Sequence, residues 1–449
     1  MVSPEQGSTL WCELAWLGGE QAEAGVLVEL EGDRIGKVTV SRSEAPPQAT
    51  TLAGLTIPGM VNAHSHAFQR ALRGRTQAEG GDFWTWRRRM YEVAEAIEPD
   101  TYQALARATF AEMALAGITA VGEFHYLHHG RGGGRYEDPN AMGSAVMDAA
   151  REAGIRITLL DTCYLHGGIG QEAEGVQLRF SDGTVDAWAE RVAGLEESAG
   201  AKVGAAIHSV RAVDPESAAR VAAFAGERSR PLHAHVSEQP AENEGCRDAY
   251  GKTPTGLLGA ADVLTERFTA VHATHLADAD FSLLGAAGCG ACLCPTTERD
   301  LADGVAPARR LAAAGARLSL GTDSHALIDI LEEGRAVELD ERLESGERGG
   351  HSATELLRAA TAGGAGSIGW PDAGRIESGA LADLVTVGFD GVRLAGTSAR
   401  HALESVVFAG TAGDVRDVLV GGEFVVRDGV HLGLDVAAEL DKAIAMMPS

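Results

Sequence analysis

Two histidines flank one serine in the stretch TIPGMVNAHSHAFQRAL, which runs from position 56 to 72. The apolar run before His64 and His66 reads as a strand, and residues two apart in a strand point to the same side. Two imidazoles on one side can bind one metal ion, because neutral imidazole is the commonest metal-ligating side chain. An isolated His-x-His more often marks two solvated loop histidines, so the pattern needs further ligands elsewhere in the chain. His235 in HAHVSE adds a third nitrogen, and Asp323 in SLGTDS adds a carboxylate. Three nitrogens and one oxygen suit zinc, with a position left for water.

Zinc lowers the pKa of its bound water to about 7, and hydrolysis then needs groups that move protons. Glu238, three residues beyond His235, is expected to carry a proton. His272 in VHATHL is expected to orient the water or polarise the developing oxyanion, and Asp323 can touch both metal and water. His275 competes for the place of His272 but falls later, in the loop. His233 lies deeper in the same strand as His235 and reads as a supporting or structural residue. A second metal bridged by a modified lysine would need that lysine at the mouth of the fourth strand, KVGAAIHSV. There Lys202 stands at the wrong end and His208 at the mouth, so one metal is expected.

These residues need a frame. Eight apolar stretches read as strands: LTIPGMVN, ITAVGEFH, IRITLLDTC, KVGAAIHS, PLHAHVSE, FTAVHATHL, GACLCPT and RLSLGTDS. Ala-rich helical segments separate most of them. In one, Tyr102, Leu105, Thr109 and Met113 share a face between Pro99 and Gly117. Eight alternating strands and helices predict a (β/α)8 barrel of the α/β class, which builds its active site at the C-terminal ends of the strands. His64, His66, Glu123, His125, His208, His235, Glu238, His272 and Asp323 all fall at such ends, a repetition that isolated structural histidines do not explain. Both chain ends instead read as hairpins, with turns at Gly32-Asp33 and Gly421-Gly422. The expected organisation is a small β-sandwich domain from residues 1–55 and 370–449, and a catalytic barrel over 56–369. The segment GRGGGRYEDPN, 130–140, reads as the most flexible.

The chain has 449 residues, 45% of them hydrophobic, which suits a globular protein. Asp and Glu number 64 against 38 Lys and Arg, and the resulting net charge of −26 argues against nucleic acid, which needs a basic footprint. No apolar run reaches the length of a membrane span, and the N-terminus lacks the basic-then-apolar pattern of a secretory signal. Six scattered cysteines suggest no disulfide framework and favour the cytoplasm. Cys292 and Cys294 read as small apolar core residues rather than ligands.

PGMVNAHSH, HAHVSE, VHATHL and GTDS, in that order, resemble the amidohydrolase superfamily in its one-zinc deaminase branch. The tail GRIESGALADLV is similar to the segment by which that superfamily returns to its small β-sandwich. NAHSHAFQRAL, FWTWRRRMY and EFHYLHH together resemble the formimidoylglutamate deiminase family, which hydrolyses N-formimino-L-glutamate to N-formyl-L-glutamate and ammonia in histidine degradation. The resemblance implies one zinc on His64, His66, His235 and Asp323, and proton handling by Glu238 with His272. It implies substrate contacts from Gln69, Arg87, Tyr126, His208 and Arg211, and a homodimer. The residues agree with an acidic substrate, since arginine forks match carboxylates and Arg87 and Arg211 follow strands one and four. Trp84 and Trp86 read as lid packing. Another one-zinc aminohydrolase acting on guanine, cytosine or an adenosine-like base is the alternative. A metal-binding protein without catalysis is disfavoured, because a structural zinc needs neither Glu238 nor His272.

Overall fold

The computed structural model describes residues 8–40, 44–78 and 83–448. Eight parallel strands form one sheet in chain order: Met60–Ser65, Ile118–His125, Arg156–Cys163, Ala201–Ile207, Leu232–Val236, Phe268–His272, Gly290–Leu293 and Arg317–Leu320. The first and last meet just beyond their ends. A parallel bridge joins Ser65 to Asp323, with Asp323 N donating to His64 O at 3.0 Å and His66 N donating to Asp323 O at 3.1 Å. The sheet is thereby closed into the expected barrel, and helices alternate with its strands.

Gly321 lets the closing strand come this near. A Cβ there would lie 2.7 Å from the Cβ of His64 and 2.8 Å from its carbonyl oxygen. The helix Pro99–Leu115 shows how the frame is built. Pro99 occupies its first turn, Glu98 caps it, and Tyr102, Leu105, Thr109 and Met113 are all buried on the barrel.

The second sheet also has eight strands and draws on both chain ends, as the hairpins predict. Its centre is the strand Thr50–Pro58, which pairs parallel with Thr9–Ala15 and antiparallel with Leu384–Val387. The turn glycines Gly421 and Gly422 both have positive φ, which suits a two-residue hairpin loop. Leu10, Val28, Leu52, Leu384 and Leu419 form a separate apolar core within this sheet. Asp383 accepts two hydrogen bonds from Arg156, at 2.8 and 3.1 Å, and so ties the sheet to the third barrel strand.

Two details differ from the sequence reading. The run LTIPGMVN is not one barrel strand, because it divides at Gly59 and its first half belongs to the second sheet. A Cβ on Gly59 would lie 2.1 Å from Thr119 Oγ1, so only glycine fits the corner. The segment 130–140 is anchored rather than loose: Arg135 donates to Asp182 at 2.7 Å, and the Tyr136 hydroxyl donates to Glu98 at 2.5 Å. No helix among the described residues is long and apolar enough to cross a membrane.

Candidate active site

His64, His66, His235 and Asp323 converge at the C-terminal mouth of the barrel. His64 Nε2 and His66 Nε2 lie 3.2 and 3.3 Å from Asp323 Oδ1, and His235 Nε2 lies 3.2 Å from His64 Nε2. The opposite nitrogens of two of the rings are fixed by backbone. His66 Nδ1–H donates to Phe124 O at 2.9 Å, and His235 Nδ1–H donates to His208 O at 2.8 Å. Because a carbonyl only accepts, each neutral ring turns a bare Nε2 lone pair to the common point. Burial pushes His64 down to about 3 and lowers His66 and His235 as well, so these imidazoles are neutral at ordinary pH. Lone pairs from neutral rings crowded against a carboxylate repel one another unless a cation lies between them. The donor set therefore fits a divalent metal of zinc's preference.

The backbone carries strain at the same place. Ser237, His272 and Asp323 have φ of +53°, +67° and +43°, in the left-handed region that non-glycine residues seldom adopt. Each follows or ends a barrel strand, and the bend turns the Asp323 and His272 side chains inward.

His272 stands beside this cluster, with Nε2 3.7 Å from Glu238 Oε1 and 4.0 Å from Asp323 Oδ2, and Nδ1 3.4 Å from Glu298 Oε1. Burial disfavours its cation, but Glu238, Glu298 and Asp323 outweigh that and push it up to about 10.

A cavity of about 420 Å³ opens on these residues. Gln69, Arg87, Tyr126, His208 and Arg211, the expected substrate contacts, all line it. Gln69 Nε2 donates to the Tyr126 hydroxyl at 3.1 Å. Arg87 Nε donates to the Tyr91 hydroxyl at 2.7 Å, and its guanidinium lies over the rings of Tyr91 and Trp84. Trp84 and Trp86 line the cavity too, but Trp84 is 56% exposed, so it does not pack as a buried lid residue.

Other candidates fall elsewhere. His275 Nε2 donates to Asp303 O at 2.7 Å, away from the cluster. His233 donates to Ser367 O, and Lys202 donates to Gly369 O beside Trp370, at the far end of the barrel. Cys292 and Cys294 are buried with Ile368 and Trp370, as small apolar residues would be. His125 points away from the mouth, to a buried group with His128 and Asp161. Arg191 already donates to both oxygens of Asp161 at 2.8 Å, which leaves that group no anionic ligand to spare.

The sequence reading missed Glu298, Glu242, Tyr91 and Tyr164. Glu242 carried no signal beyond its place in the first turn of the helix Pro240–Tyr250. Glu298 had none beyond its place shortly after the seventh strand.

The sequence matches the amidohydrolase family over residues 55–425. It is similar to the formimidoylglutamate deiminase of Pseudomonas aeruginosa, 39% identical over 404 residues that cover 87% of this chain and 88% of that protein. It is also similar to a 5-methylthioadenosine/S-adenosylhomocysteine deaminase of Natronomonas pharaonis, 30% identical over 391 residues, 86% of this chain and 84% of that protein. Among solved structures, an amidohydrolase from Brucella melitensis superposes with a TM-score of 0.90 at 33% identity, over 98% of this chain and 99% of that one. The chain belongs to the amidohydrolase family and is a hydrolase of C–N bonds, of the kind that deaminates small molecules.

Proposed function

We propose that the chain hydrolyses N-formimino-L-glutamate to N-formyl-L-glutamate and ammonia, with one zinc ion on His64, His66, His235 and Asp323. The observation that carries the substrate is the pairing of two arginines, Arg87 and Arg211, with the His/Asp cluster in one cavity. A substrate whose glutamate part carries two carboxylates and whose amino nitrogen carries the formimino carbon matches that layout. The resemblance to the Pseudomonas aeruginosa deiminase supports the same reading.

When bound, zinc supplies an acidified water at neutral pH. The chain's own residues do the rest. Glu238 carries the two protons of the attacking water in turn to the leaving nitrogen, so that the C–N bond breaks, ammonia departs and the formimino carbon becomes a formyl carbon. His272, within 4.0 Å of Asp323, stabilises negative charge that develops beside it. Arg87 and Arg211 bind the carboxylates, while Gln69, Tyr126 and His208 line the path between the two ends.

The aromatic wall of Tyr91, Tyr126 and Tyr164 favours a second reading, deamination of a flat heteroaromatic base. Ammonia release from N-formimino-L-glutamate and from a nucleobase and nucleoside series, with elemental analysis of the same sample, separates the two. The proposal requires turnover of the formimino compound and one zinc per chain, and turnover of bases alone refutes it. His235→Ala is expected to lose metal and activity together.

A further inference from the structure

The two arginines of the cavity are held differently. Arg211 donates from Nη2 to Glu238 at 3.3 Å, whereas among the described residues no carboxylate pairs with Arg87. Arg87 and Tyr91 stand one turn apart on the helix Phe83–Ala96, a spacing at which side chains meet. The Tyr91 hydroxyl accepts from Arg87 Nε at 2.7 Å, and the centre of the guanidinium lies 5.0 Å from the centroid of the Tyr91 ring. Tyr91 is tied in turn to the segment Gly175–Arg179, where Gln177 Nε2 donates to its hydroxyl at 3.2 Å. The Gln177 amide is oriented by its own neighbours: Oε1 accepts from Glu174 N at 3.1 Å, and Nε2 also donates to Gly167 O at 3.3 Å. Arg87 and Tyr91 both line the cavity. The charge of Arg87 is felt inside it, where burial and Tyr91 push the Tyr164 hydroxyl up and Arg87 and Arg211 oppose that push.

A guanidinium reads a carboxylate through two parallel N–H bonds, from both Nη groups or from Nε and one Nη. On Arg87 the Nε–H is already taken by Tyr91, so the edge left for an anion is the one its two Nη groups form. An arginine side chain also carries much rotamer entropy, which binding must remove unless the fork is fixed beforehand. We propose that Tyr91 is a positioning residue for Arg87: its hydroxyl holds Nε and its ring carries the guanidinium, so that the Nη edge is presented to one carboxylate of the substrate. The proposal rests on the reading of the substrate as an acidic formimino compound. In this role Tyr91 serves recognition of an anion, not stacking on a flat base, and it acts through the arginine.

The test is binding of N-formyl-L-glutamate, the dicarboxylate product, to the zinc-loaded full chain by calorimetry. The proteins compared are wild type, Tyr91→Phe, Arg87→Met and the double variant. Phenylalanine keeps the ring beside the guanidinium and its contact with Phe180, so the exchange removes the hydroxyl alone. Tyr91→Phe should weaken binding about tenfold. It should raise KM for N-formimino-L-glutamate by a similar factor, with a smaller change in kcat. In the Arg87→Met background it should add nothing, because its effect runs through Arg87. Wild-type affinity in Tyr91→Phe overturns the proposal and leaves the substrate reading standing. An equal loss in both backgrounds also overturns it, since the hydroxyl then acts without Arg87. If wild-type protein binds no dicarboxylate, the substrate reading falls and this proposal falls with it.

Discussion

His272 Nδ1 lies 3.4 Å from a carboxylate oxygen of Glu298, and that same oxygen accepts the backbone N–H of Cys294 at 3.0 Å. Glu298 is thus fixed from the seventh strand and fixes the ring in turn. A carboxylate behind an imidazole sets its orientation and favours its cation. Glu298→Gln keeps the shape and removes the charge. It should retain zinc and KM while lowering kcat by about tenfold or more, measured as steady-state ammonia release beside metal content. Unchanged kcat would confine Glu298 to loop structure.

Glu238→Gln should hold zinc and substrate but lose about 10²-fold or more in kcat, because an amide cannot accept the proton. Near-normal turnover in a zinc-loaded sample would move proton transfer elsewhere, with Asp323 the next candidate.

Arg211→Met leaves a substrate carboxylate unpaired in the cavity, a loss of about 2–5 kcal/mol for a buried, hydrogen-bonded charge pair. kcat/KM should fall strongly for N-formimino-L-glutamate and little for a formimino compound without carboxylates. Equal losses for both compounds would mean that Arg211 supports the barrel mouth rather than reading the substrate.

Glu123 is a buried carboxyl that accepts from Ser65 Oγ at 2.5 Å and from Ala67 N at 2.7 Å, and burial pushes it up to about 8. Its folded value lies above its unfolded value of 4.5. The native state therefore holds the extra proton between those values, and stability falls as pH rises through that window. The limiting slope is about 1.4 kcal/mol per pH unit for one group. Glu123→Gln should flatten this part of the profile, read as the urea midpoint of the metal-free chain between about pH 5 and about pH 8. Parallel profiles for the two proteins would show that Glu123 does not titrate there.

The barrel and the cluster were legible in the sequence because each imidazole or carboxylate interrupts an otherwise apolar run at the same end of a strand. His64, His235, His272 and Asp323 are all of this kind. Glu242 and Glu298 were not legible, since acids in the first turn of a helix are commonplace and usually complement the helix dipole at the surface. Both are buried residues of the helices Pro240–Tyr250 and Pro295–Asp300, and that burial is set by tertiary packing. The break at Gly59 was hidden because the residues on both sides of it are buried, and only the approach of Thr119 from the second strand forces it. The loop 130–140 misled through its glycines, while the residues that hold it are Asp182 and Glu98, distant in sequence.

The seam between the first and eighth strands joins positions 260 residues apart, as in the hydrogen bond from Asn62 to Thr322. The cation proposed for His64, His66 and Asp323 would lie on that seam and would act as a crosslink closing a very large ring in the chain. Ring-closure entropy grows only slowly with length, so the gain from the ring itself is modest. The larger effect is on shape. A closed barrel has no edge strands, whereas one that parts at its seam is an open sheet with two unpaired edges, each a template for strands of other molecules. On this reading, chelating the metal does more than stop catalysis: it exposes the protein to self-association, and the seam is where that begins.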